Sequence, residues 1–145
     1  MVNDGLKLTG ALTFIKNGKV VQKVENNVVN NGKIMVAKNL FGTADPVTHM
    51  GLGTGTTASV DGDIGLETPS GARISVTPSL LSNEVTYEAV WGVGGGSAFT
   101  NMTEAGLFNH LTNTAEANFF ARTTFDPVSK ADDDTLTIQW KITVS

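Results

Sequence analysis

The chain has 145 residues, 40% of them apolar and 17% charged, with a formal charge of -4 and no cysteine. That length supports one domain with a core of its own, and the missing thiols exclude a disulfide framework, a thiolate metal centre and a cysteine nucleophile. The opening MVNDGLKLTG lacks the basic-then-apolar pattern of a signal peptide, and no apolar run approaches the roughly 18 residues of a membrane-spanning helix, so synthesis in a cytosol is expected.

In chain order, Leu8, Leu12 and Phe14 share one face of a strand, Asn17-Gly18 strongly favours a tight hairpin, and Val20, Val21 and Val24 follow. The expectation is a hairpin over about residues 6–25. A short helix is predicted over about 32–41, with Asn30 and Asn31 as caps, Ile34, Ala37 and Phe41 along one side, and Gly42 as its stop. Its expected task is to cover an edge or end of the sheets, since one amphipathic helix builds no core alone.

From His49 onward, short apolar runs are broken by Gly, Pro, Asn and Asp, the rhythm of a sandwich or barrel. Strands are predicted at Met50 to Leu52, Arg73 to Thr77, Val85 to Trp91, Glu104 to Asn109 and Asn118 to Phe125. The clearest is the last, where Leu136, Ile138, Trp140, Ile142 and Val144 alternate with polar residues. About eight strands and one helix predict a single domain over 1–145, mainly β, as a jelly-roll-like antiparallel β-sandwich.

Leu107-Phe108 and Phe119-Phe120 put large apolar groups on both faces of their strands. Either those strands lie between layers, or Phe108 and Phe120 meet another chain in self-association or docking. Charge is also uneven: residues 1–40 hold six lysines against Asp4 and Glu25, a net +4, and the remainder holds four cations against twelve acids, a net -8. Lys16, Lys19 and Lys23 are therefore candidate docking contacts, or else lysines that keep an edge hairpin from pairing with other chains. With Phe14 the one aromatic nearby, they form no base-stacking surface, and no nucleic acid is expected as partner.

Other motifs are weak. Gly51-Leu52-Gly53-Thr54-Gly55-Thr56-Thr57 has the glycines of a phosphate loop but neither its lysine nor a following helix, which makes a tight exit from a strand the default. His49 and His110 lack metal-ligand spacing, and Asp132-Asp133-Asp134 lacks the calcium-loop pattern and reads as a solvated turn. No GxSxG elbow or marked carboxylate pair appears, so no enzyme, metal or cofactor is expected.

Taken together, NNVVNNGK, VTHMGLGTGTTASVDGDIGLETP, the strand after Ala72-Arg73, TEAGLFN, and FFARTTFDPVSKADDDTLTIQWKITVS resemble, in that order, a family of small virion proteins of tailed bacteriophages. The resemblance spans residues 26–145 and includes capsid decoration, or cement, proteins; the glycine-rich stretch is also similar to tail-fibre and baseplate-associated text. It implies a non-enzymatic protein on the outer capsid surface, bridging major capsid protein subunits, with self-assembly as a dimer or trimer. The alternative it implies is a tail-fibre or baseplate adaptor. A carbohydrate-binding module is a third reading, disfavoured because Tyr87, Trp91 and Trp140 fall on inward faces.

Overall fold

The computed structural model describes residues 5–43, 45–94 and 97–145. Its strands are β1 (Leu8–Lys16), β2 (Lys19–Val28), β3 (His49–Gly53), β4 (Pro69–Ser75), β5 (Thr77–Leu81), β6 (Glu84–Trp91), β7 (Phe99–Phe108), β8 (Phe119–Lys130) and β9 (Leu136–Val144), with helix α1 at Asn30–Phe41. All pairings are antiparallel, in the order β4-β3-β7-β8-β2-β1-β9-β6-β5. Strand β2 turns this ribbon into two sheets: Lys19 to Asn26 pair with β1, whereas Asn27 and Val28 pair with Arg122 and Ala121 of β8. The result is a β-sandwich with nine strands among the described residues.

Period-2 patterning explains the interior. Leu136, Ile138, Trp140 and Ile142 of β9 are buried in one core with Leu12 and Phe14 of β1, Met50 and Leu52 of β3, and Leu107 of β7. Ring contacts bridge the layers, Phe14 lying 4.5 Å from Phe125, and Trp91 meeting Phe99 edge-on at 6.2 Å. Trp140 also donates from Nε1 to Asn26 Oδ1 at 2.8 Å.

The hairpin closes at Asn17-Gly18, both with positive φ (51° and 79°), as a type I′ turn requires. It runs longer than expected, to Val28. The stretch expected as one strand from Arg73 to Thr77 is two strands that part at Val76, whose N–H turns aside to the Thr48 carbonyl (2.9 Å). Because β4 and β5 are the outermost strands of the ribbon yet adjacent in sequence, this junction draws its two ends together.

Helix α1 departs most from the reading of the sequence. Its N-cap is Val29, with no side-chain cap; Asn31 instead donates to the Phe119 carbonyl at 2.8 Å, and Gly42 stops the helix at φ 96° as expected. The buried side carries Asn31, Gly32 and Met35. A Cβ at Gly32 would overlap the Phe120 carbonyl oxygen, so this glycine lets the helix lie directly on β8. Ile34, Ala37 and Phe41, half a turn away, point to solvent.

Candidate functional site

The outer face of the β3-β7-β8 sheet is not open. Residues 54–68 fold back across it, and one carboxylate takes three of their N–H groups. Glu104 of β7 is fully buried; its Oε1 accepts the N–H groups of Gly55 (3.1 Å) and Thr68 (2.7 Å), and its Oε2 that of Glu67 (3.0 Å). Arg122 of β8, 2% exposed, donates from Nε to Glu104 Oε2 (2.8 Å) and from Nη1 to Asp63 Oδ2 (3.1 Å). Burial opposes the Arg122 cation, but its bonds to Glu104 and Asp63 outweigh that and hold its pKa above the ordinary value. Nη2 of the same guanidinium is buried without a hydrogen-bond partner among the described residues.

This geometry explains the glycine-rich stretch. A Cβ at Gly53 would overlap Glu104 Oε1, and one at Gly55 would lie 2.7 Å from Glu104 Cδ. The glycines admit a carboxylate of the protein itself, which takes the N–H groups a phosphate would need. Glu104 already has four donors around it, so it offers no general base or nucleophile. The sequence signal was a single acid inside the apolar run MTEAGLF and a single arginine in FFARTTF, which the register sets diagonally, Glu104 facing Thr124 and Arg122 facing Gly106; a charge in a central strand is buried only when paired.

Beside this network lies an open cavity of about 760 Å³ lined by Leu52, Ile64, Leu66, Pro69, Arg73 and Phe108 among others, a volume within the range of small-molecule sites. The Arg73 guanidinium sits 3.5 Å from the centroid of the Phe108 ring and donates from Nη1 to the carbonyls of His110 and Asn113, both at 2.9 Å. His110 Nδ1 accepts the N–H groups of Thr112 and Asn113, which shapes the 110–113 turn. Burial, with the Arg73 cation next, holds His49 below the ordinary histidine value. Among the described residues, no three His, Asp or Glu side chains come together as a metal would require.

The chain matches no family model, no curated protein and no solved structure.

Among the residues singled out in the sequence, Phe108 and Phe120 are not surface contacts. Phe108 packs with Val29 and Phe119, centroid to centroid 5.1 Å for the ring pair, beneath Leu66 of the covering loop; Phe120 belongs to the main core. Both faces of these strands are dry because loop 54–68 and α1 add further layers. Lys19 and Lys23 are exposed, while Lys16 lies 3.5 Å from Asp134. The charge split along the chain is partly undone in space, since Lys33 pairs with Asp61 (3.2 Å) and Lys38 with Asp45 (3.8 Å). Asp134 is tied into its turn by Asn17 Nδ2 (2.8 Å) and the Ala131 N–H (2.9 Å).

Proposed function

We propose that this protein is a structural component of a phage virion that decorates the outer capsid surface, bridging major capsid protein subunits. The observation that carries the reading is surface left uncovered on regular elements: Leu40 (81% exposed) and Phe41 (88%) on α1, and Leu80 and Leu81 on β5. Such side chains gain by burial in an assembly. The succession of sequence words from Asn26 to Ser145 supports the same assignment. Stabilisation would follow mass action, because a protein that binds only the assembled shell favours that shell.

A tail-fibre or baseplate adaptor is the second reading, favoured by the glycine-rich stretch. A sugar-binding role finds little support, since Trp140 is buried and Tyr87 and Trp91 pack against the core. Quantifying the chain in purified virions tests the proposal: hundreds of copies are expected, and a few tens or fewer would replace the capsid reading with the tail.

A further inference from the structure

We propose that the open cavity beside the Glu104 and Arg122 pair is a binding site for a small carboxylate with an apolar body, and that Arg73 holds the carboxylate. The cavity, about 760 Å³, is walled by Leu52, Leu66, Pro69 and Phe108, with Ile64 and Leu111 left 62% and 50% exposed. A ligand that takes these side chains out of water gains affinity for its body from their burial. The site is independent of the decoration reading.

The charged side chains of the lining, Asp63, Glu67, Arg73 and Arg122, select the head of the ligand. Both acids already have donors. Asp63 Oδ2 accepts from the Val60 N–H (3.0 Å) and from Arg122 Nη1 (3.1 Å), and Glu67 Oε1 accepts from the N–H groups of Thr56 (3.1 Å) and Thr57 (3.5 Å). Arg73 differs, because among the described residues no carboxylate pairs with it. Burial lowers its pKa with no acid to offset the effect, whereas Glu104 and Asp63 do so for Arg122. The Phe108 ring fixes the plane of its guanidinium, and the two carbonyls of the 110–113 turn occupy Nη1. Nε and Nη2 are left without a hydrogen bond among the described residues, and together they form the parallel fork that the two oxygens of a carboxylate match. A phosphate monoester would set close to two negative charges against this one unpaired cation, next to Asp63 and Glu67, so the head is a monoanion. Arg122 adds a second unspent donor to the same lining, its buried Nη2.

The test titrates the full chain with decanoate, below its micelle concentration, and follows the backbone amide signals by NMR. Saturable shifts clustered at Leu52, Ile64, Leu66, Phe108 and Leu111 are expected. Decanol keeps the apolar body and lacks the charged fork, so it should bind at least about tenfold more weakly. Arg73→Gln should weaken decanoate at least about tenfold and change decanol less than about threefold, a split that a merely loosened turn would not produce. Ile64→Glu, at an exposed position that folding does not depend on, should also weaken decanoate, by lost contact and added repulsion. No saturable shift at the lining residues, or an Ile64→Glu variant with unchanged affinity, would overturn the site. Decanol bound as tightly as decanoate, or Arg73→Gln binding decanoate like the wild type, would leave an apolar cavity and overturn the carboxylate. If Arg73→Gln does not fold, the wild-type comparison of decanoate with decanol and the Ile64→Glu variant decide the proposal.

Discussion

Glu104 shows how one side chain can organise a whole layer. Removing one partner of a buried ion pair typically costs about 3–5 kcal/mol, because the other charge is left uncompensated. Glu104→Ala should therefore lower stability by about that amount in urea unfolding, and a loss below about 1 kcal/mol would show that the carboxylate does not hold loop 54–68. Asp134 acts more locally. Hydrogen bonds from Asn17 and the Ala131 N–H, helped by Lys16, keep its carboxyl below the ordinary value. A folded-state pKa below the unfolded one stabilises the fold above about pH 4 and is lost as the pH falls through the folded value. The gap in melting temperature between wild type and Asp134→Ala should thus be present at neutral pH and close at about pH 2; a gap unchanged by acid would contradict this linkage.

At the level of elements, β5 is an exposed edge strand that, among the described residues, pairs with β6 alone. In an antiparallel ladder alternate residues bond to the neighbour; with the two-residue turn at Ser82-Asn83 closed by Leu81 and Glu84, Pro78 and Leu80 direct their backbone outward. Proline has no N–H to offer there, so Pro78 blunts an edge that Leu80 and Leu81 would otherwise make adhesive. Pro78→Val should leave the melting temperature nearly unchanged while raising self-association in light scattering. An equally monodisperse variant would remove that role. The β1-β2 hairpin depends on its turn in a different way: Gly18→Val forces a β-branched residue to φ 79°, a strain of about 1–3 kcal/mol that denaturant unfolding would register.

Across the whole molecule, strands distant in sequence are neighbours in space. Strand β9 lies between β1 and β6, and its four inward side chains fill the middle of the core. Folding must close long loops before these contacts form, so refolding in milliseconds to seconds is expected rather than microseconds. Deleting residues 136–144 should abolish cooperative unfolding, since β1 and β6 would each lose a partner and the core its Trp140. A truncated chain that still melts cooperatively would show that another arrangement carries the stability.

Local chemistry in the sequence determined the β-rich class, the Asn17-Gly18 hairpin, the position and stop of α1, and the alternation of β9, because each depends on residues a few positions apart. Only the tertiary structure decided which faces those elements bury. The apolar side of α1 points outward because Gly32 and Asn31 offer β8 a closer backbone fit than bulky side chains allow. Phe108 is internal because a loop of turn-like residues folds over one sheet as a further layer, and Phe120 because it belongs to the main core. Gly53 and Gly55, which locally look like an anion loop, sit where Glu104 brings the anion from a strand some fifty residues away in the chain. Pairing of that kind has no local periodicity, so it becomes visible only once the sheets are assembled.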